Sequence, residues 1–499
     1  MEAKKIETAM AWDKRTGKYQ SMYENGMIAV KIVKDMVENR KDHLERLSNL
    51  PHHLRRYTDA WVYVRSAAHT VDAMERLRKY EDAVELIEYL LKTDALIQFC
   101  PDRRGFLYDR LALDLHAHLK RKDDSLNACV RGISDTVVRN KDRLLLQDRA
   151  LRLDKDFQIS LKIEEPRWIC ISGKIIDKYL GEQRINHFYV ENNGEKEIVS
   201  VEELALRHFR EEQNFWNGLH SEGQIWHTVF GIICYDIIFD HNIETVWFSP
   251  IQDAPADLNT LDFFLKRKER FEERLSLLLE EGQKEVLTDI MKDNFDKNRG
   301  RTNAKIDWNV FESFEEFESF MLCINPEALV MIINRIIEDH RHHRSGFPDL
   351  TLWDPATKRL AVIEVKGPGD KLSTKQRLWL DFFNKHGVEA FVCQVTANKN
   401  RQLPNQTVTK KIKQKKTKKE TAEGEEEVVE EMEVESVEYV EDDEIVKADN
   451  CDLNDFEEEE EKEIDFDFVP SSKPSSSSSI RVTRSSLRNQ LSADLNDNS

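Results

Sequence analysis

Three charged residues near position 350 have the types and the spacing that metal-dependent phosphodiester cleavage requires. Asp349 ends a Gly-Phe-Pro-Asp sequence, and Glu364 and Lys366 stand on either side of Val365. Carboxylate oxygens are hard ligands that suit Mg²⁺ or Mn²⁺, and a cation beside them can orient the attacking water or the phosphate. The residues therefore predict a catalytic metal site at Asp349, Glu364 and Lys366, to which the Val365 carbonyl could add an oxygen ligand.

Each half of this pattern is common in proteins that have no such site. A Pro-Asp pair often stands at a turn, and a Glu and a Lys two residues apart on a strand usually face solvent. Here residues 359–365 are apolar enough for a buried strand. A charged pair in a buried strand is rarely tolerated unless it is paired or bound to metal, so the two halves together favour the catalytic interpretation.

The pattern requires two short strands that meet at one end. Residues 349–353 and 359–365 read as strands joined by a turn at 355–358, followed by a helix at 373–386 and a strand at 389–395. Glu364 and Lys366 then share a face, because side chains on a strand repeat every two residues. The order strand, turn, strand, helix, strand predicts a compact α/β core.

The remaining chain divides by its periodicity into further regions, which makes the fold class α+β multidomain. Residues 1–156 have helical spacing, and residues 61–77 and 83–91 pair as in tetratricopeptide-like stacks, although an ordinary helical bundle is equally compatible. Strands near 167–173 and a capping box at 200–203 follow. We expect a helical repeat-like domain at 1–164, a small β-containing connector at 165–212, the α/β core at 213–397 and a disordered tail at 398–499.

Charge and cysteine content limit the possible partners. The net charge is −20, but an acidic run at 420–467 alone carries −23, and it follows a basic run at 399–419. Any nucleic-acid surface must therefore be a local patch. The seven cysteines form no CxxC pair, and no apolar leader or membrane-length stretch is present, so we expect neither a zinc ribbon nor a membrane protein. Residues 410–419 read as a nuclear localisation signal or DNA tether, with a solvated linker as the alternative.

The motif residues resemble a known nuclease family. Gly346 to Asp349 and the sequence VIEVKGPGDKLSTKQRLWLDFF resemble the PD-(D/E)xK motif of the virus-type replication-repair (VRR) nuclease domain. The preceding sequence SEGQIWHTVFGIICYDIIF is similar to a helix of the Fanconi-associated nuclease family, and the resemblance extends over residues 103–395. It implies that the α/β core at 213–397 is a VRR-type PD-(D/E)xK nuclease core.

The resemblance also implies residue roles. Asp349, Glu364 and the Val365 carbonyl would bind metal, Lys366 would contact the attacking water or the scissile phosphate, and Glu222, at the start of the helix, would complete a second metal site. Basic and polar residues would contact the DNA backbone; the candidates are Arg341, Arg344, Lys375 and Gln376. A pocket for the 5′ phosphate in the helical region is also implied, with Arg103, Arg104 and Arg110 as candidates.

The family's activity supplies the functional expectation. By resemblance, this would be a 5′-flap endonuclease and 5′ to 3′ exonuclease that acts in interstrand crosslink repair in the nucleus. Its partners would be branched or flapped DNA and DNA-repair proteins, and we expect no ubiquitin-binding zinc finger in this chain. A Holliday-junction resolvase-like nuclease and a DNA-binding scaffold that no longer cuts are the alternatives.

Overall fold

The structure is a computed structural model that describes residues 2–175, 188–192, 195–213, 215, 217–397, 413–420, 426–433 and 481–482. Met1–Asn398 together with Ser479–Ser499 form one compact unit, and Lys399–Ser478 form a second. The sequence Asn-Asn-Gly-Glu at 192–195 also predicts a turn, whose central residues 193–194 lie outside the described residues.

The N-terminal part of the first unit is helical, as the periodicity predicts. Short 3-10 turns at Asp94–Leu96 and Pro101–Arg103 and a π-helical turn at Asp114–His118 join some of the helices. In chain order the helices are α1 (Glu2–Arg15), α2 (Tyr19–Asn39), α3 (Lys41–Ser48), α4 (His52–Arg55), α5 (Asp59–Arg76), α6 (Tyr80–Lys92), α7 (Arg104–Leu113), α8 (Lys122–Ser134) and α9 (Asn140–Leu153).

Amphipathic spacing explains why these helices stack. On α6, Leu86, Ile87, Leu90 and Leu91 recur at helical intervals and are all buried in the core that α5 and α7 also line. Burying such side chains contributes about 1.5–3 kcal/mol each, which far exceeds helix propensity. Successive helices α5 to α9 pack against their neighbours, so the predicted α5–α6 hairpin is confirmed.

A mixed sheet forms the other half of the unit. Its strand order is β10-β4-β5-β6-β7-β1-β2-β3; β6, β7 and β1 run parallel, and the other neighbours are antiparallel. The strands are β1 (Arg167–Ile175), β2 (Phe188–Asn192), β3 (Glu195–Val199), β4 (Asn217–His220), β5 (Leu350–Asp354), β6 (Arg359–Lys366), β7 (Glu389–Ala397), β8 (Lys413–Glu420), β9 (Glu426–Glu433) and β10 (Arg481–Val482), of which β8 and β9 form a separate antiparallel pair.

The predicted connector at 165–212 is not a separate element, which corrects that boundary. Strand β1 pairs in parallel with β7 from Arg167↔Phe391 to Gly173↔Ala397, so the β-segment continues the core sheet. The residues of β7 that pair with β1 lie more than two hundred positions later in the chain. Local periodicity therefore predicts the strand but not its partner. Strand β4, which was not predicted, pairs with β5 on the other side.

Helices cover both faces of the sheet. Ala361, Ile363 and Val365 face α10, whereas Leu360 and Val362 face the larger helical layer, as strand alternation requires. The helices are α10 (Val201–Gln213), α11 (Gln224–Ile238), α12 (Leu261–Leu279), α13 (Lys284–Asn298), α14 (Phe314–Met321), α15 (Pro326–Glu338), α16 (His340–His343) and α17 (Thr374–Lys385), with a 3-10 turn at Glu281–Gln283 before α13.

Within the predicted disordered tail, the structure describes only β8, β9 and β10; for the other residues of 398–499, which lie outside the described ranges, disorder stays a prediction. Among the described residues no single helix has the length and apolarity to cross a bilayer. Helices α14 and α15 taken together are long and apolar enough, but they meet at a bend of 107°.

Candidate active site

The ends of β5 and β6 bring the predicted catalytic residues together. Leu350 pairs with Ile363 in the antiparallel register, so Asp349, just before β5, lies beside the end of β6. The Val365 N–H donates a hydrogen bond of 2.7 Å to Asp349 Oδ2. The predicted strands and the convergence of their ends are thus present. The Val365 carbonyl stays a predicted ligand.

Glu364 is fully buried, with 0% of its surface exposed. Its Oε1 accepts hydrogen bonds from Lys366 Nζ at 2.9 Å and from Gln376 Nε2 at 2.5 Å. Its Oε2 is also buried, and no described residue gives it a hydrogen-bond partner. An unpartnered carboxylate oxygen in a buried strand costs free energy unless a proton or a cation satisfies it, so this atom is suited to a metal ion.

The electrostatics point the same way. Burial raises the pKa of Asp349 to about 6, although the Val365 N–H and the Lys366 ammonium both lower it. Burial and the neighbouring Asp349 carboxylate raise the pKa of Glu364 well above its usual value, against the opposing effect of Lys366. Two adjacent carboxylates that resist ionising together need more positive charge than Lys366 supplies, which a divalent cation would provide.

The backbone of Glu222 contacts that of Asp349, but the Glu222 side chain is not part of the carboxylate cluster. It lies in the turn before α11, rather than in the first helical turn as predicted, and has a left-handed φ of +50°. The N–H groups of Ser221 and Glu222 each donate to the Asp349 carbonyl at 3.2 Å. Its side chain is exposed, and no three His, Cys, Asp or Glu side chains of the described ranges are grouped to hold a metal ion. A metal-binding role for Glu222 stays a prediction.

Two of the predicted DNA-contacting arginines are instead committed to the interior of the helical region. Arg104 is buried, donates to Asp135 Oδ2 at 2.9 and 2.6 Å and to the Leu91 carbonyl at 3.2 Å. Arg110 makes a two-pronged ion pair with Glu75 at 2.9 and 2.6 Å, with 11% of its side chain exposed. Both interactions use the guanidinium fork that DNA would need, and DNA contact by Arg104 and Arg110 stays a prediction.

Arg103 and Arg341 are partly exposed and also engaged with protein groups. Arg103 contacts His69 Nε2 at 2.9 Å and lies over the Phe106 ring. Arg341 pairs with Asp102 at 3.1 Å and so connects α16 to the helical region. Their roles in DNA binding stay predictions.

Gln376 lies in the predicted helix and contacts the carboxylate cluster, and its contact with DNA stays a prediction. Its amide donates to Glu364, so it supports the carboxylate cluster directly. Lys375, the preceding residue, donates from Nζ to Ser345 Oγ at 3.1 Å and lines a cavity described below. Arg344 is partly exposed near Ser345. DNA contact by Lys375 and Arg344 stays a prediction.

Comparison with known proteins adds an independent line. The family model of the Fanconi-associated nuclease 1 TPR domain matches residues 2–154, and the family model of the VRR-NUC domain matches residues 282–397. The chain is 40% identical to the Fanconi-associated nuclease 1 homolog of Caenorhabditis elegans over 413 residues, which are 81% of this chain and 47% of that protein. It is 34% identical to Fanconi-associated nuclease 1 of Homo sapiens over 365 residues, 70% of this chain and 35% of that protein.

The chain belongs to the Fanconi-associated nuclease family. It spans about half the length of its first matched curated relatives, 47% and 48%. Crystal structures of paFAN1 bound to gapped DNA with a 1-nucleotide or 2-nucleotide 5′ flap share its fold, each with a TM-score of 0.54 and 22% identity. The aligned region covers 68% of this chain and 57% of the paFAN1 chain in the first structure, and 74% and 62% in the second. The tetratricopeptide-like and VRR-type predictions are confirmed.

A basic cavity is the second notable feature of this family member. It has a volume of about 250 Å³ and lies between the start of α9, the α15–α16 segment and α17. The Nε atoms of Arg139, Arg143 and Arg335 are buried and lack a hydrogen-bond partner among the described residues. The charged residues that line the cavity are Arg139, Lys141, Arg143, Arg335, Asp339 and Lys375.

Arg335 shows why this cavity favours an anion. Burial lowers its pKa to about 10, and its guanidinium lies 4.5 Å from the Trp379 ring centroid and 4.3 Å from that of Phe382. None of Arg139, Arg143 and Arg335 is among the predicted DNA ligands. Arg139 and Arg143 do stand in a basic segment at a helix start, but only the tertiary fold brings Arg335 to them.

Proposed function

We propose that this protein is a divalent-metal-dependent DNA nuclease that cuts 5′ flaps and trims DNA in the 5′ to 3′ direction. The observation that carries the proposal is the buried cluster of Asp349, Glu364 and Lys366, with an unpartnered Glu364 oxygen. Membership of the Fanconi-associated nuclease family supports the reaction class, and the flap DNA bound by the paFAN1 structures supports the substrate class.

The residues present fit a hard divalent cation, Mg²⁺ or Mn²⁺. Asp349 and Glu364 would hold it through carboxylate oxygens, which both ions prefer. When bound, such an ion polarises a phosphate oxygen and makes water a better nucleophile. Lys366 keeps its ammonium 2.9 Å from Glu364 and lies at the strand end, where it can bind the scissile phosphate. Gln376 holds the Glu364 carboxylate in its orientation.

Alanine variants test the site. Asp349→Ala and Lys366→Ala should abolish cutting of labelled 5′-flap DNA in Mn²⁺ while leaving DNA binding measurable. The matched control is Asp354→Asn, a buried carboxylate at the far end of β5 that accepts from Ala356 N and Thr357 Oγ1. The control should lose stability but still cut. Wild-type cutting rates in either alanine variant would show that the site assignment is wrong.

We further propose that the basic cavity holds the 5′-terminal phosphate of the substrate strand. Three arginines that line the cavity support this, because a guanidinium is a strong partner for an oxyanion and their buried Nε–H donors have no acceptor among the described residues. The N-terminus of α9 at the same cavity adds the positive end of its helix dipole. The proposed pocket thus consists of Arg139, Arg143 and Arg335, whereas the sequence predicted Arg103, Arg104 and Arg110.

A comparison of 5′ ends tests the pocket. Wild-type protein should cut flap DNA with a 5′ phosphate faster than the same DNA with a 5′ hydroxyl, and Arg143→Gln should reduce this preference by about tenfold or more, because it removes a charge-assisted hydrogen bond. Arg152→Gln is the control, an exposed arginine on the same helix. If Arg143→Gln and Arg152→Gln show the same preference for 5′-phosphate DNA over 5′-hydroxyl DNA, the pocket does not bind the phosphate.

We also propose that the protein acts in the nucleus, in interstrand crosslink repair, together with other repair proteins. Family membership supports the repair role, and the basic run at 410–419 fits a nuclear localisation signal. Deleting this run from a fluorescent fusion of the full chain should shift the protein to the cytoplasm. Unchanged nuclear accumulation would reject the signal.

A further inference from the structure

A buried histidine joins α11 to the segment that carries Asp349. His227 Nε2 lies 2.8 Å from the carbonyl oxygen of Arg344, and its ring stands edge-on to Phe347 at 5.5 Å. Its backbone N–H donates to the Gly223 carbonyl at 3.1 Å, so His227 belongs to the first turn that follows Glu222. One residue thus contacts both sequences that lead into the site.

The tautomer of His227 follows from these contacts. A carbonyl oxygen only accepts, so Nε2 carries the proton and Nδ1 carries the lone pair. Burial lowers the pKa of His227 to about 4, which keeps the ring neutral near neutral pH. Nδ1 is buried without a partner among the described residues, and the centroids of the His227 and His340 rings are 5.7 Å apart. The ring therefore acts as a fixed single donor to Arg344.

The segment from Arg344 to Asp349 is held from its other side by α17. Phe347 stacks on Trp379 at a centroid distance of 4.0 Å, and Trp379 Nε1 donates to the Ser345 carbonyl at 3.1 Å. Gly346 has a left-handed φ of +82°, and a Cβ there would stand 2.5 Å from Lys375 Cβ. Helix α17 thus holds the segment on one side, and the His227 hydrogen bond is the side-chain contact from α11 that holds it on the other.

Close packing transmits that position to the site. A Cβ on Gly223 would stand 2.6 Å from the Phe347 ring, so the turn that carries Glu222 rests directly on this segment. At the end of the segment, the Asp349 carbonyl receives the N–H groups of Ser221 and Glu222. A shift of the Arg344 carbonyl would therefore alter the placement of Asp349 relative to Glu222.

We propose that His227 is a positioning residue for the metal site. It fixes the position of Asp349 by holding the Arg344 carbonyl against α11. The proposal rests on the proposed metal-dependent nuclease function. His227 itself touches neither carboxylate. It acts through the segment that ends at Asp349, so its loss should weaken metal activation more than DNA binding.

Two substitutions separate the hydrogen bond from the packing. His227→Phe keeps a ring against Phe347 but removes the donor, and His227→Gln keeps an N–H donor. His227→Phe should raise the Mn²⁺ concentration for half-maximal cleavage of flap DNA by about tenfold, the lower end of the effect of outer-shell partners on metal sites. His227→Gln should restore most of that loss, and KM for DNA should change little in both.

His53→Phe is the matched control. His53 is a fully buried histidine whose Nε2 lies 3.0 Å from the Thr245 carbonyl, away from the site. His53→Phe also removes the contact of Nδ1 with Asp262 at 2.9 Å, so this variant should lower the melting temperature at least as much as His227→Phe, without changing the half-maximal Mn²⁺ concentration. An unchanged Mn²⁺ requirement in folded His227→Phe, or an equal shift in His53→Phe, would overturn the proposal. Wild-type protein that cuts without any metal would instead reject the proposed function itself.

Discussion

Replacing Gln376 with methionine distinguishes two roles for this side chain. Its Nε2 donates to Glu364 Oε1 at 2.5 Å, and its Oε1 accepts from the Ser373 N–H at 2.9 Å, as one arm of the capping box of α17. The sequence resemblance places Gln376 at the DNA backbone, whereas the structure has it orient a buried carboxylate. Methionine keeps the length and the helix propensity of glutamine but removes both hydrogen bonds.

The size of the effect follows from the two bonds. A hydrogen bond to a charged group contributes about 1.5–3 kcal/mol, and loss of an outer-shell partner typically lowers metal affinity or activity about 10–100-fold. Glu364 retains Lys366 at 2.9 Å, so the carboxylate stays buried but can rotate. We therefore expect Gln376→Met to raise the half-maximal Mn²⁺ concentration about 10-fold or more, with KM for DNA nearly unchanged.

Cleavage of labelled flap DNA over a Mn²⁺ titration measures this effect, and thermal unfolding monitors the cap. Ser373→Ala removes the other arm of the same capping box, where Ser373 Oγ accepts from the Gln376 N–H at 3.3 Å. It should cost about 1 kcal/mol of stability without changing the metal requirement. If Gln376→Met raises KM for DNA and leaves the Mn²⁺ dependence as in wild type, the positioning argument is refuted and Gln376 is a DNA contact.

Two further predictions concern buried charge elsewhere. Burial raises the pKa of Asp114 to about 6, so its contribution to stability, complete below the unfolded value near 4, should be lost as the pH rises through the folded value. Asp114→Asn should therefore raise the melting temperature more at about pH 8 than at about pH 5; an equal effect at both would contradict this. Arg267→Met should cost about 3–5 kcal/mol in urea unfolding, because it strands the fully buried Asp257, and adding Asp257→Leu should recover most of the loss; no recovery would refute this reasoning.

The catalytic cluster could be predicted from the sequence because its determinants are local. Strand alternation puts Glu364 and Lys366 on one face, and a short turn between two strands returns the chain to Asp349. The Ser373 cap and the helix after it are equally local, since a cap depends on residues three positions apart. Residues that belong to the same or to neighbouring helices and strands therefore lie together as the sequence predicts.

Only the tertiary structure decided which basic residues are available to an anion. Arg104 and Arg110 look like DNA ligands in the sequence, yet Asp135 and Glu75 neutralise them inside the helical region. Arg335 lies on a mostly apolar helix and looks structural, yet it lines the cavity and its buried Nε–H has no acceptor among the described residues. Periodicity shows the face on which a side chain lies, but the pairing of a charge depends on partners distant in the chain, which only the packed fold brings together.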